Sequence, residues 1–476
     1  MIKSILPPFI NNGMVIQRDR AFPIYSSQKV SVTFLGKTYE SCKIDDNKNN
    51  ENRWMLKLDP AQAGGAYTME VTCDSQSLQF DDIYVGDVWL CSGQSNMEMD
   101  MNRLRQDFSE EWTGNYPPIR QFKVPRQLDF SAAKEEIENG DWHVPSDESL
   151  NWFSAVAWFF AKNLYEKYHI PIGLVNSTWG GTPVEAWMSE NALRDYPEKI
   201  AQGKQYIDPS KEKEMKKKYS DSFFIERQPM GTFNAMLSPL LKYPYKGVIW
   251  YQGESNDPDP KSYEKLFKLM IQDWRKKNNS DLPFFFVQLP IWKEATDNDE
   301  NAPWAILREA QMNTLSLPNT GMACALELGQ WDELHPLNKK DVGYRLFLAA
   351  EKTLNGVDNT SPGAIVREYK LDSNEQKIFI YFDNYGKGLE IIGNLSHGGT
   401  EARSKDQCNI FYVSVIGDAG QVRLPAKIEG KDFISIDISS VKNPKKILYA
   451  FADNPKDRQL FNSEGLPVLP FRLEIV

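Results

Sequence analysis

The 476-residue sequence predicts an α/β protein in which a parallel-sheet domain stands between two β domains. Residues 1–81 show short apolar–polar alternation, which is typical of strands. Residues 82–357 alternate apolar strands with helical stretches, as a parallel sheet requires. Residues 358–476 return to strands separated by Gly, Asn and Pro turns. Because the chain is longer than the ~100–200 residues of a typical domain, its length predicts two or three domains. The change of pattern divides it into three, with these boundaries.

The strand patterns can be placed individually. In the N-terminal domain they comprise Val30, Val32 and Phe34, then Trp54, Leu56 and Leu58, and then 67–71 after a Gly64-Gly65 turn. In the central domain they lie at 83–90, 173–176, 247–251 and 284–289. In the C-terminal domain they lie at 378–382, 411–415, 433–438 and 447–451.

Two helices and one charged segment complete the expected elements. Residues 150–169 are rich in Phe and Trp and are followed by Pro171, so we expect a helix that ends before the strand at 173–176. A second helix is predicted over 337–354, with Pro336 in its first turn and Gly356 at its left-handed end. The run Lys-Glu-Lys-Glu-Met-Lys-Lys-Lys at 211–218, inside a helical insertion at about 191–225, predicts a solvated arm.

Composition excludes several classes of protein. Hydrophobic residues make up 41% and charged residues 25%, which is ordinary for a folded soluble domain. The formal net charge of −10 argues against a nucleic-acid or anionic-lipid partner. No apolar stretch approaches the ~18 residues that a membrane span needs, and the N-terminus lacks a signal-peptide core. The aromatic content of 12% suits sites that stack on flat ligands such as sugar rings.

The five cysteines signal neither a metal site nor a disulfide framework. They lie at Cys42, Cys73, Cys91, Cys324 and Cys408, form no Cys-x-x-Cys pair and are odd in number. We therefore expect buried free thiols and neither a metal nor a cofactor.

A candidate nucleophile follows the first central strand. In the run at 88–97 an apolar strand leads into a Gly-containing turn that carries Ser95. In an open α/β sheet ligands bind at the carboxyl ends of the strands, so a serine there can meet a substrate. The alternative is a serine that only caps a helix.

A candidate base and acid stand three residues apart in Asp332-Glu-Leu-His335-Pro. A serine needs a histidine base, and the histidine benefits from a carboxylate that fixes its tautomer, so His335 and Asp332 could supply both. His169 and His397 lack a comparable acidic neighbour near a predicted strand end. His143 is a rival base, although a packed or surface role fits it better.

Two further loops after strands could hold an oxyanion. They contain Gly180-Gly181 and the segment Gln252-Gly253-Glu254-Ser-Asn256. Glycine N–H groups and Gln or Asn amides stabilise the charge that acyl transfer builds on the carbonyl oxygen, each by ~10²-fold or more. Taken singly, a glycine pair is more often an ordinary turn.

These motifs together resemble the sialate O-acetylesterases among the SGNH-type hydrolases. The resemblance rests on Ser-Gly-Gln-Ser-Asn-Met at 92–97, Trp-Gly-Gly-Thr-Pro-Val-Glu-Ala-Trp at 179–187, Ile-Trp-Tyr-Gln-Gly-Glu-Ser-Asn at 249–256 and His-Pro-Leu-Asn-Lys at 335–339. It extends from Gly-Met-Val-Ile-Gln-Arg at 13–18 to Phe-Asn-Ser-Glu-Gly-Leu-Pro at 461–467, so it covers nearly the whole chain.

The resemblance implies a flavodoxin-like α/β/α esterase domain flanked by β-sandwich-like modules. It implies that Ser95 is the nucleophile, His335 the base and Asp332 the orienting acid, with the Ser95 N–H and Gly181, preferred to Gly180, as oxyanion donors. The sequence departs from the general SGNH pattern of Gly-Asp-Ser in the first block and Gly-x-Asn-Asp in the third. The third donor is therefore left open between Gln252 and Asn256.

Substrate contacts are expected from Gln94, Trp179 and Glu254 in the same motifs. We also expect Arg308 to bind the carboxylate of a sialic acid, because a guanidinium matches it bidentately; the alternative is a structural pair with Glu309 or another neighbour.

The expected function is therefore a carbohydrate O-acetylesterase acting on O-acetyl groups of sialic acid through an acetyl-serine intermediate. The alternatives are an acetylesterase of neutral glycans such as acetylated xylan, and, from another class, a non-catalytic carbohydrate-binding protein. The partner is an O-acetylated small molecule or glycan. The resemblance favours an exported enzyme, while the missing signal peptide leaves a cytoplasmic one as the alternative; the oligomeric state is not predicted.

Overall fold

The computed structural model describes residues 2–44, 53–374, 376–393, 404–405 and 410–475. His397 and Cys408 lie outside these residues. The chain forms two compact units: unit 1 comprises Met1–Tyr251 with Leu269–Phe284, and unit 2 comprises Gln252–Lys268 with Phe285–Val476. In the described part of the chain, no helix is both long enough and apolar enough to cross a membrane.

Strands and helices are numbered in order along the chain. The strands up to the end of the central sheet in unit 1 are β1 (Val15–Gln17), β2 (Phe22–Ser26), β3 (Ser31–Phe34), β4 (Lys37–Glu40), β5 (Cys42–Ile44), β6 (Arg53–Leu58), β7 (Gly64–Cys73), β8 (Gln76–Gly93), β9 (Ile119–Lys123), β10 (Trp142–His143), β11 (Ile172–Thr178) and β12 (Gly247–Tyr251). The later strands are β13 (Phe284–Gln288), β14 (Thr320–Cys324), β15 (Ile365–Asp372), β16 (Lys377–Asp383), β17 (Leu389–Gly393), β18 (Ser404–Lys405), β19 (Ile410–Gly417), β20 (Gly420–Ile428), β21 (Phe433–Asp437), β22 (Lys446–Tyr449), β23 (Leu460–Asn462) and β24 (Phe471–Glu474). The helices are α1 (Ser95–Glu98), α2 (Ala155–Tyr168), α3 (Pro197–Lys204), α4 (Pro209–Tyr219), α5 (Pro260–Asn278), α6 (Pro303–Thr314) and α7 (Lys339–Asn355).

Strand β8 is the central strand of unit 1. Its first part pairs antiparallel with β7, and its second part pairs in parallel with β11 and β12. β9 lies parallel on the far side of β11, and β10 adds an antiparallel edge, which gives the order β10-β9-β11-β8-β12. The second part of β8, β11 and β12 are buried throughout, as strands covered on both faces must be. The predicted parallel sheet is therefore confirmed, and the predicted 81/82 boundary falls inside a continuous strand.

The predicted helix at 150–169 is present but begins later, at Ala155. Ser154 caps it, because its hydroxyl accepts the Ala157 N–H, and a separate 3-10 turn occupies Ser149–Trp152. The helix ends with His169 in a left-handed conformation, two residues before the proline that was expected to stop it. α4 has no buried residue, which confirms the solvated charged arm.

Unit 2 contains α7 and the C-terminal sheets. α7 begins at Lys339 after an Asn338 cap and ends at Gly356, whose φ is 63°. The left-handed end is confirmed, whereas placing Pro336 in the first turn was wrong, because it precedes the cap. A seven-stranded antiparallel sheet has the order β15-β16-β21-β20-β19-β22-β24, and β17 pairs with β18 and β23. The four strands predicted in this region are confirmed within a few residues.

Candidate active site

The turn that carries Ser95 is fixed by a close backbone approach. β8 ends at Gly93, whose φ is 134°, and a Cβ atom there would overlap the carbonyl oxygen of Tyr251. The N–H of the buried Gln94 donates to that same oxygen at 3.0 Å. Glycine is thus required at position 93 both by its dihedral angle and by the neighbouring strand. Ser95 opens helix α1 directly beyond this constraint, at the carboxyl end of a central strand, and is half-buried.

Helix α1 is held from its other end by the start of α2. The Ser154 hydroxyl donates to the carbonyl of Met97 at 2.6 Å, and the Ala155 N–H donates to the carbonyl of Met99 at 2.8 Å. The Ser154 N–H in turn donates to the Gln121 side chain at 2.9 Å. Ser154 is completely buried, so these bonds are shielded from water. The serine turn is therefore a rigid part of unit 1.

The Gly180-Gly181 loop is tied to helix α1 by Glu98. Glu98 Oε2 accepts the Gly180 N–H at 2.7 Å, and a Cβ atom on Gly180 would lie 3.3 Å from both Glu98 Oε2 and Ser95 Cβ. Gly181 follows with a φ of 76°. Within the described residues, no group accepts the Gly181 N–H. Among the described residues, the N–H of the first glycine is thus engaged by Glu98 and that of the second has no acceptor.

Glu98 is also the centre of a charge cluster. Its Oε1 accepts Nε and Nη2 of Arg126 at 3.0 and 2.7 Å, and Lys123 Nζ lies 3.8 Å away. The Arg126 guanidinium also lies over the ring of Trp179, 5.7 Å from its centroid. The carboxylate therefore holds two cations and the loop together, and a charged acceptor binds the Gly180 N–H more strongly than a neutral one would.

Lys123 links this cluster to the strands below it. Its Nζ donates to the Thr178 hydroxyl at 3.0 Å, which donates to Asn176 Oδ1 at 2.7 Å. The Asn176 Nδ2 donates to Gln121 at 3.1 Å. Burial lowers the pKa of the Lys123 ammonium, and the carboxylate of Glu98 opposes part of that shift. A continuous polar chain thus connects the cap of α2 with the glycine loop.

Sequence reasoning missed Glu98, Lys123 and Arg126. Glu98 follows the serine motif directly, and its separation of three residues from Ser95 on a turn was the available signal. Lys123 and Arg126 carry no local signal, because their partners lie in other parts of the sequence.

Gln252 and Asn256, the competing third oxyanion donors, bond to each other in unit 2. Gln252 Nε2 donates to Asn256 Oδ1 at 2.7 Å, and Gln252 Oε1 accepts the Tyr263 hydroxyl at 3.1 Å. Gln311 Nε2 donates to the Gln252 carbonyl at 3.1 Å. One N–H of the Gln252 side-chain amide is therefore engaged by Asn256.

The three predicted substrate contacts, which lie in three different loops, are mostly buried. Gln94 is 2% exposed and Glu254 is 7% exposed, while Trp179 is half-buried. Glu254 begins a short 3-10 turn after Gly253, whose φ is 156°. Among the described residues, no group of three or more His, Cys, Asp or Glu side chains is placed to hold a metal ion.

The carboxylate next to His335 is Glu333. Nδ1 of His335 lies 3.8 Å from Glu333 Oε1, and the His335 N–H donates to the same oxygen at 2.7 Å. The Asp332 side chain is exposed and makes no hydrogen bond or ion pair with any described residue. The geometry therefore does not bring Asp332 to the imidazole as the sequence predicted, because the turn presents the next residue to the histidine.

Arg308 is placed where it cannot read a substrate carboxylate. Its side chain is completely buried and donates to the carbonyls of Pro290, Ala452 and Asp453. Burial lowers the pKa of the guanidinium to about 10. The expected role of Arg308 in substrate binding is thus wrong, and the alternative of a structural role holds. The partners of Arg308 are backbone carbonyls and not Glu309, which pairs with Arg472.

A serine on a glycine turn at the end of a central parallel strand, beside a loop glycine, is an arrangement that an esterase with an α/β fold can use. Comparison with known proteins names the family. Residues 85–350 match the family model described as a carbohydrate esterase, sialic acid-specific acetylesterase. The chain belongs to this family of carbohydrate esterases.

Individual relatives agree over most of the chain. It is 32% identical to human sialate O-acetylesterase, over 97% of this chain and 91% of the human protein. It is 31% identical to the rat protein of the same name, over 79% of this chain and 78% of the rat protein. Among solved structures, a carbohydrate acetylesterase from Xanthomonas citri is 32% identical, covers 99% of both chains and superposes with a TM-score of 0.83.

Proposed function

We propose that this esterase removes acetyl groups from sugar hydroxyls, with O-acetylated sialic acid as its substrate. The observation that carries the proposal is the rigid serine turn tied through Glu98 to the Gly180-Gly181 loop. The names of the mammalian relatives support the choice of sialic acid.

In the proposed reaction the Ser95 hydroxyl attacks the acetyl carbonyl carbon while His335 takes its proton. The tetrahedral intermediate collapses, the sugar oxygen leaves and receives the proton from His335, and acetyl-serine remains. Water then attacks this ester with His335 again as base. Acetate leaves, and Ser95 recovers its proton.

We propose that the oxyanion is bound by the N–H groups of Ser95 and Gly181 and by the side-chain amide of Gln252 or Asn256. Gly181 is preferred because the Gly180 N–H is engaged by Glu98. The third donor stays open between Gln252 and Asn256, whose side chains bond to each other.

Neutral acetylated glycans are a second candidate substrate. The burial of Arg308 removes the guanidinium that was expected to select a sialic acid carboxylate. The Xanthomonas protein carries the broader name of carbohydrate acetylesterase.

We also infer that the parallel sheet and its helices form a flavodoxin-like α/β/α layer, with sandwich-like β modules at either end. The TM-score of 0.83 to a carbohydrate acetylesterase supports this inference. The domain boundaries proposed from the sequence would be tested by limited proteolysis.

The proposal is tested by acetate release from 9-O-acetylated sialic acid and from an acetylated xylo-oligosaccharide, each with wild type and Ser95→Ala. We expect release from the sialic acid that is lost in the variant. A preference for the xylo-oligosaccharide would move the substrate to neutral glycans. Equal release by wild type and variant would exclude Ser95 as the nucleophile.

A further inference from the structure

A second feature of unit 1 is a cavity of about 410 Å³ beside the serine turn. Its lining includes Glu98, Asp100, Lys123, Arg126, His143 and Trp152. Of these residues only His143 was a candidate from the sequence, as a rival base.

The cavity adjoins the nucleophile. Glu98, which forms part of its wall, is the last residue of the helix that Ser95 begins. A Cβ atom on Gly180 would lie 3.3 Å from both the Glu98 carboxylate and Ser95 Cβ. Glu98 is therefore shared by the wall of the cavity and the helix that Ser95 begins.

Trp152 gives the cavity an aromatic wall. Its side chain is 64% exposed, the most exposed large apolar side chain among those described. The backbone beneath it is fixed, because Gln121 Nε2 donates to the Trp152 carbonyl at 3.0 Å and the neighbouring Phe153 is completely buried. An exposed indole on a rigid turn beside a cavity offers a stacking surface for a flat apolar face.

The polar groups of the cavity carry both signs of charge. Arg126 and Lys123 are cationic, whereas Glu98 and Asp100 carry carboxyls, and burial raises the pKa of Asp100. Glu98 is already matched by Arg126 and Lys123. Mixed donors and acceptors suit hydroxyl groups, which both donate and accept, better than they suit a phosphate or another strong anion.

We propose that this cavity is the sugar subsite of the esterase, in which a pyranose ring stacks on Trp152 while its hydroxyls bond to the charged wall. The inference rests on the proposed function, since it concerns the sugar that carries the acetyl ester. It replaces Arg308 as the source of substrate recognition.

The test compares two esters on purified full-length protein: 9-O-acetylated sialic acid, which has a sugar ring, and 4-nitrophenyl acetate, which has none. For each variant, kcat/KM on the sugar ester is divided by kcat/KM on the nitrophenyl ester. This ratio should fall about tenfold in Trp152→Ala, because KM for the sugar ester rises. Trp152→Phe should restore most of the ratio, because it keeps an aromatic face. Tyr219→Ala removes a similarly exposed ring on α4, remote in sequence, and should leave the ratio unchanged.

The outcomes separate this inference from the proposed function. A parallel loss on both esters would show that Trp152 is only structural, and an unchanged ratio would overturn the subsite. If wild type hydrolyses neither ester, the proposed function fails, and calorimetric binding of the acetylated sialic acid and the acetylated xylo-oligosaccharide still decides the subsite. Binding that Trp152→Ala abolishes would support it, and no binding of either sugar by wild type would overturn it.

Discussion

Glu98 should set the rate of the esterase by holding the glycine loop against the nucleophile helix. In the structure its Oε2 accepts the Gly180 N–H at 2.7 Å, and its Oε1 accepts Arg126. Glu98→Ala removes the acceptor and leaves the two neighbouring cations, Arg126 and Lys123, without their carboxylate. The loop is then free to shift the Gly181 N–H, which is a proposed oxyanion donor.

The size of the effect follows from two magnitudes. A hydrogen bond to a charged group contributes about 1.5–3 kcal/mol, so we expect Glu98→Ala to destabilise the protein by that amount. An oxyanion donor contributes about 10²–10³ in kcat, and a displaced donor forfeits part of this. We therefore expect kcat to fall about 10- to 100-fold.

Glu98→Gln separates the hydrogen bond from the charge. The amide oxygen can still accept the Gly180 N–H, so we expect most of kcat to be retained. Kinetics on 4-nitrophenyl acetate avoid any effect on sugar binding, and thermal unfolding reports stability. Glu138→Ala is the matched control. Glu138 is an exposed carboxylate that pairs only locally with Lys134, four residues earlier, at 2.8 Å.

Two results would refute this reasoning. If Glu98→Ala kept kcat within about twofold of wild type, the loop would not depend on this bond. If Glu98→Gln lost as much kcat as Glu98→Ala while remaining equally stable to heat, the charge rather than the acceptor would be responsible.

Three further predictions concern other parts of the molecule. Because Glu333 lies next to the imidazole of the proposed base, Glu333→Gln should lower kcat about tenfold, whereas Asp332→Asn should lower it by less than about threefold. A loss of about 10⁴-fold in Asp332→Asn would show that Asp332 is the orienting acid after all. Arg308→Met should lower the free energy of unfolding by about 2–4 kcal/mol, because it leaves the buried carbonyls of Pro290 and Ala452 without their guanidinium donor, while the selectivity between sialic acid and neutral sugar esters stays the same. Iodoacetamide at pH 8 should label the exposed Cys42 and spare Cys324, whose pKa burial raises to about 12; rapid labelling of Cys324 in the native protein, read by peptide mass spectrometry, would contradict the structure.

The sequence could predict those parts of the site that are set by local structure. The strand before Ser95, the glycine turn that follows it and the left-handed end at Gly356 follow from rules that act within a few residues. The preference for Gly181 over Gly180 was also available, but its physical cause was not. That cause is the carboxylate of Glu98, whose partner loop lies 82 residues further along the chain.

Long-range packing explains what the sequence could not predict. Arg308 has a side chain that could bind a carboxylate, yet its guanidinium donates to three backbone carbonyls from two distant segments. Asp332 had the spacing of an orienting acid, yet the turn presents Glu333. Spacing fixes which side chains can meet, whereas the path of the backbone between them decides which ones do.

The charge cluster around Glu98 is better explained by geometry than by stability. Partial burial of Lys123 and Glu98 costs free energy of desolvation, and water screens their attraction at 3.8 Å because 34% and 15% of the two side chains stay exposed. The pair is therefore weak evidence for a stable fold. Fixed charges can, however, hold a backbone N–H in one place, because an ionised acceptor gives a shorter and more directional bond than a neutral one. Glu98 is the last residue of the helix that begins at the proposed nucleophile, and it ties this helix to the glycine loop, where a small displacement of a donor lowers the rate. Its presence there is consistent with a fold that accepts an energetic cost in order to keep Gly181 and Ser95 in register.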